Sequence, residues 1–233
     1  AVGNDALREN TTASNNTAVG HDALRANTTG TNNVAVGANA LDVNTTAGNN
    51  TAVGTLALSA NTTANNGTAV GYNSLGANTT ANHNTGIGFR SLEANTTGTQ
   101  NIASGSRSLQ ANTTGSNNTA TGYRALGVNT TGASNAAVGN LALTANTTGF
   151  GNTSVGQRSG ESTTTGTDNV FMGREAGRDV TTGGNNIIIG TAAGLANSPS
   201  GQITTGSNNV VLGDNNITNA FIKVAFTVTS DQR

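Results

Sequence analysis

A glycine stands at every seventeenth position of this chain, at Gly3, Gly20, Gly37, Gly54, Gly71, Gly88, Gly105, Gly122, Gly139, Gly156, Gly173 and Gly190, and again at Gly213 after a six-residue insertion. Self-similarity this strict is the mark of a solenoid, in which each unit buries its face only by stacking on the next. Seventeen residues are too few for the helix pairs of longer repeats. The unit running from Val19 to Ala35 reads V-G-H-D-A-L-R-A-N-T-T-G-T-N-N-V-A, with β-branched residues set between Gly and Asn. That arrangement suits short strands joined by tight turns. The expected fold is therefore all-β: a parallel β-solenoid, or β-roll, of seventeen-residue coils with two short strands per coil.

Stacking then turns each repeat position into a column. Thirteen rungs at the ~4.8 Å spacing of paired strands make a rod of roughly 60 Å. The Val19, Val36, Val53, Val70 column and the Leu24, Leu41, Leu58, Leu75 column are the large apolar ones, and they are expected to fill the coil. Ala18, Ala35 and Ala52 alternate to the opposite strand face, which is expected to meet another chain, since so slim a coil has little core of its own. The Asn27, Asn44, Asn61 column belongs at a turn, where stacked amides can bond rung to rung. The repeated glycine should require either a positive φ or a close backbone approach that a Cβ would block.

Composition narrows what such a rod can do. The 233 residues carry a formal net charge of -1 with 9 % charged residues, which gives no basic footprint for nucleic acid and no polybasic patch for a membrane surface. Cysteine is absent and His21 and His83 lie far apart, so no metal cluster and no cofactor site is expected. Aromatic residues make up 3 %, too few for a wide layered core. The chain has no leader-like or membrane-spanning run and opens inside a repeat at Ala1-Val2-Gly3, so it reads as a fragment or a processed product. No Ser-His-acid set, metal cluster or phosphate loop emerges, and the expected role is non-enzymatic.

The pattern changes along the chain. Ser104 and Thr121 take the Val column in consecutive repeats, putting hydroxyls where neighbours are expected to bury methyls. From Ser159 onward the Leu column becomes Gly160, Gly177 and Gly194, while the strands turn wholly apolar at Val170-Phe171-Met172, Ile187-Ile188-Ile189 and Val210-Val211-Leu212. Strands apolar on both faces are expected where both are covered. The organisation read from this is a solenoid shaft over 1–213 with a projecting loop near 195–202 around Pro199, a capping strand over 214–229 in which Ile222, Val224, Phe226 and Val228 alternate with other residues, and a short tail at 230–233.

Repeats of the A-V-G-x-x-A-L and N-T-T-G-x-N-N-T type resemble those of phage tail fibres and bacterial surface fibres, and more distantly the heads of trimeric autotransporter adhesins. The tail Thr229-Ser230-Asp231-Gln232-Arg233 resembles the start of the intramolecular chaperone domain of endosialidase-type fibres, with Ser230, Asp231 and Arg233 on its Ser-Asp-x-Arg-x-Lys stretch. In that family the chain is cut just before the serine, which the resemblance puts between Thr229 and Ser230. The lysine of the catalytic dyad would fall beyond Arg233, so no protease activity is assigned. The resemblance implies a homotrimer, other tail proteins as partners, a virion location and a host-surface glycan or protein as target. The second reading is a bacterial surface adhesin, cell-surface or extracellular. The third is an ice-binding solenoid, suggested by the Thr-Thr columns.

Two sets of outer residues are candidate contacts. Arg90, Arg107, Arg124 and Arg158 share one register and would form a stripe for anionic glycans, or a solvated face balanced by acids such as Glu93 and Glu161. Tyr72, Phe89 and Tyr123 directly follow their glycines and would stack on sugar rings, or pack on a turn or a neighbouring chain. Nine Asn-Thr-Thr sequons from Asn10 to Asn146 recur at every rung, and a structural amide ladder explains them better than crowded sugars.

Overall fold

The computed structural model describes residues 1–219, which form one parallel β-solenoid. Its strands are β1 (Thr17–Val19), β2 (Val34–Val36), β3 (Thr51–Val53), β4 (Thr68–Val70), β5 (Thr85–Ile87), β6 (Ile102–Ser104), β7 (Thr119–Thr121), β8 (Ala136–Val138), β9 (Thr153–Val155), β10 (Val170–Met172), β11 (Ile187–Ile189) and β12 (Val210–Leu212). They pair in chain order as one 12-stranded parallel sheet. Thr17 pairs with Val34 and so on up the rod, each residue against the one seventeen later, until β11 meets β12 across the insertion as Ile187 against Val210. The inserted segment folds on its own turns, Ser198 N–H donating to Leu195 C=O and Gly201 N–H to Ser198 C=O.

Each coil has one β-strand, where the sequence suggests two. The second side, around Asp22 to Ala26, also bonds rung to rung: Leu24 N–H donates to Ala40 C=O and Ala26 N–H to Asp42 C=O, both at 3.0 Å, while Asp22 N–H reaches back to Asn4 C=O at 3.0 Å. It is not a strand because alternate residues are left-handed, with φ of 56° at Asp22 and 52° at Leu24. That conformation repeats in every Leu-bearing rung through Leu143. A non-glycine residue there costs about 1–2 kcal/mol. Burial of a leucine side chain returns about 1.5–3 kcal/mol, enough to hold it.

The interior also differs from the expected one. Ala18, Ala35, Ala52 and their successors, the middle residues of the strands, are completely buried with the Leu column, whereas the Val column points outward, with Val19 39 % and Val138 41 % exposed. The Leu side chains cross the coil from the facing side and leave room for only a methyl group beneath the strand. The hydroxyls of Ser104 and Thr121 therefore face outward and need no buried partner. The Ala face is not a surface at all, so it cannot meet another chain.

The repeated glycine answers both expectations. Gly20 has φ +136°, and a Cβ on it would approach the Gly37 carbonyl oxygen to 2.5 Å. Two amide ladders close the turns. Asn44 Nδ2 donates to Asn27 Oδ1 at 2.9 Å and to Ala47 C=O at 3.0 Å; at the next corner Asn50 N–H donates to Asn33 Oδ1 at 3.0 Å. From Asn27 to Asn146 the sequon asparagines are buried, so they serve as internal hydrogen-bonding groups. Thr28 Oγ1 adds a third rung-to-rung bond, to Thr45 C=O at 3.1 Å.

Most of the capping segment expected at 214–229, and the junction residues Thr229, Ser230 and Asp231, lie outside the described residues. Of that segment, Asp214 to Asn219 follow the last coil, with Asn216 N–H bonded to Asp214 Oδ1 at 3.0 Å.

Candidate functional site

The residue after each repeated glycine leaves the strand at a corner and points to solvent, and stacking places these residues one rung apart. Tyr72 and Phe89, following β4 and β5, are both exposed and stack with ring centroids 5.5 Å apart and planes 16° from parallel. The Arg90 and Arg107 guanidinium carbons lie 5.2 and 5.9 Å from the Phe89 ring centre, within reach of its electron-rich face. Four of the seven candidate contact residues are thus in one cluster. Tyr123, also exposed, and Arg124 follow β7, two rungs beyond Phe89. Between them, in the same column, is Ser106.

The arginine column divides by its partners. Arg158 Nε donates to Glu161 at 2.7 Å, and this hydrogen bond, with the carboxylate's charge, raises an already high pKa. Arg178 lies 3.0 Å from Glu175 and 3.1 Å from Asp179, so the cations around this C-terminal cluster are balanced. Arg90 Nε is 3.6 Å from Glu93, whose carboxylate also accepts from Asn73 and Gln110 at 2.7 Å. The acids Glu93 and Glu161 thus do balance part of the column. Among the described residues, Arg107 and Arg124 have no carboxylate within 4.0 Å.

Ser104 and Thr121, the two hydroxyl residues of the otherwise aliphatic outer column, stand at the ends of β6 and β7, directly before the glycines that precede Ser106 and Tyr123. One stretch of two rungs therefore carries outward hydroxyls, a gap in the aromatic column and two unpaired guanidinium groups. Ser106 was not singled out by the sequence. The signal for it was available: it is the small residue between two aromatic ones at the same repeat position.

Among the described residues no helix is long and apolar enough to cross a membrane. Compared with protein-family models, curated proteins and solved structures, the chain matches none.

Proposed function

We propose that this chain is the shaft of a homotrimeric extracellular fibre, in the first instance a phage tail fibre that spaces or presents a receptor-contacting tip. The observation that carries the reading is the outward column from Val19 to Leu212, a line of mostly aliphatic side chains along the full length of a rod, each about two-fifths bare or more at Val19, Ile87, Val138, Met172 and Leu212. The strand-start positions beside it are threonine in half of the strands, so the apolar part of this face is the outward column itself, running the length of the described rod. A monomeric protein rarely leaves so much apolar surface continuous.

A second copy is the natural occupant, because only another rod of equal length and equal spacing can cover the column without gaps. Three copies around a common axis bury all three columns against each other and close the assembly, so it does not grow sideways. The C-terminal strands fit this reading, since Val170, Met172, Ile187 and Ile189 present large apolar groups outward on rungs whose inner residues are large as well.

Antibodies raised against the chain should decorate fibres on virus particles released from the source culture. Decoration of the cell surface alone would transfer the reading to an adhesin, and thermal hysteresis of the purified rod would transfer it to ice binding.

A further inference from the structure

The gap at Ser106 has the dimensions of a ring. Adjacent rungs of the aromatic column already hold Tyr72 and Phe89 in a stack at 5.5 Å. Phe89 and Tyr123 are two rungs apart, about 9.5 Å along the axis, and two van der Waals contacts to an inserted ring need about 7–8 Å. Ser106 is too short to fill that distance. A ring lying over it would have Phe89 on one side and Tyr123 on the other, each near the ordinary stacking separation.

The surroundings specify the chemistry of the ring. Arg107, on the rung of Ser106, and Arg124, on the rung of Tyr123, bring two positive charges that no carboxylate of the described residues approaches within 4.0 Å. Arg107, one rung beyond Phe89, holds its guanidinium over that ring at 5.9 Å, so an entering ring must displace it from the Phe89 face and turn its charge to the ligand's anionic group. The Ser106 hydroxyl supplies a donor and an acceptor at the floor of the slot. A neutral sugar would leave two guanidinium groups idle, and a flat aromatic ligand would make little use of the Ser106 hydroxyl.

We propose that the Ser106 slot binds one ring of an acidic polysaccharide, its C–H face against Phe89 and Tyr123 and its carboxylate or sulfate against Arg107 and Arg124. Phe89 and Tyr123 wall the slot along the rod axis, so neighbouring sugars leave it outward, toward solvent. The fibre reading supplies the polysaccharide as a surface target; the slot itself is built within one chain and does not depend on how many copies assemble.

The test is calorimetric titration of the full chain with hexasaccharides of galacturonate and of chondroitin sulfate, with maltohexaose as the neutral comparison. At least one acidic hexasaccharide should bind tenfold or more tightly than maltohexaose. Ser106→Phe places in the slot a residue that the same column already accepts at Phe89, so the coil folds, and binding should fall at least tenfold. The pair Arg107→Ala and Arg124→Ala should lower it similarly and flatten its salt dependence. Absence of binding by both acidic sugars, or unchanged affinity in Ser106→Phe, overturns the proposal. Sedimentation of the same samples reports assembly separately. If Ser106→Phe changes the oligomeric state, the rings contact another chain and the ligand assignment fails; if the unaltered protein is monomeric yet binds, the fibre reading fails and the slot stands.

Discussion

The ring of Phe171 occupies the space that a side chain at position 177 would need: a Cβ built on Gly177 runs into it, and one on Gly160, a rung earlier, would come within 2.5 Å of Phe171 Cδ2. In earlier rungs the strand centre is small and the facing residue is Leu, as with Ala137 and Leu143, both fully buried. At β10 the volumes are exchanged. Gly160 and Gly177 keep the same left-handed backbone, φ 58°, which a glycine adopts without strain.

This exchange predicts non-additive mutations. Phe171→Ala should cost about 3–5 kcal/mol through the cavity it leaves. Gly177→Leu alone should cost about 1–3 kcal/mol through overpacking, more with the backbone strain. The double variant restores the Ala and Leu arrangement of earlier rungs, so its loss should be smaller than the sum of the two, with a coupling of about 1–3 kcal/mol. Denaturant unfolding of the four proteins gives the coupling, and strict additivity would show that the two residues do not share one space.

The amide ladder gives a second expectation. Asn112 Nδ2 donates to Asn95 Oδ1 at 2.8 Å and to Gly115 C=O at 2.9 Å, while its Oδ1 accepts from Asn129 at 2.8 Å. Asn112→Ala leaves buried groups bare on both neighbouring rungs, at about 1–3 kcal/mol for each. Asn10, exposed at the first rung, is the comparison, and Asn10→Ala should change stability by less than about 0.5 kcal/mol. Thermal unfolding of the two variants separates buried rungs from the exposed end.

A gap in the second ladder predicts a stabilising change. Asn101 N–H donates to Asn84 Oδ1 at 2.9 Å, and Gly67 N–H to Asn50 Oδ1 at 2.8 Å, but Gly67 has no side chain to offer Asn84. Gly67→Asn should supply that acceptor and also restrict the unfolded chain, for a gain of about 1 kcal/mol. Its Cβ would lie 3.1 Å from Asn50 Oδ1 and 3.3 Å from Leu58 Cδ1, so both side chains, Leu58 the more flexible, must give by a few tenths of an ångström. A lower unfolding midpoint would mean that they cannot yield.

Much of this was legible in the sequence. The period, the parallel stacking, the constraint on Gly20 and the structural use of Asn27 and Asn44 all follow from residue type and spacing. The orientation of the strand does not, because a three-residue strand turns only its middle residue to one face, and size alone assigns the larger Val column to the inside. The repeats carried the correct answer in how their columns vary together. The large residues Phe171 and Ile188 enter the Ala column where the Leu column turns to Gly177 and Gly194, as two groups sharing one space must. The Val column takes Ser104, Thr121 and Met172 with no such compensation, as an outer column can. The left-handed backbone at Leu24 was concealed by an apolar side chain and disclosed by the glycines that replace it later. For the site, Tyr72, Phe89 and the arginines could be read as a column with Ser106 as its short member, whereas the stacking of Tyr72 on Phe89 and the place of Arg107 over that ring needed the folded coil.

Because the chain has no cysteine, single cysteines report directly on which face meets another copy. Oxidation of Val138→Cys, on the outward column, should link chains into covalent pairs in good yield, since in the proposed assembly like residues would face each other across the common axis. Thr131→Cys, exposed elsewhere on the coil, should remain unlinked under the same conditions. Efficient linking at 131 with none at 138 would contradict the account, because the rods would then associate through a different face.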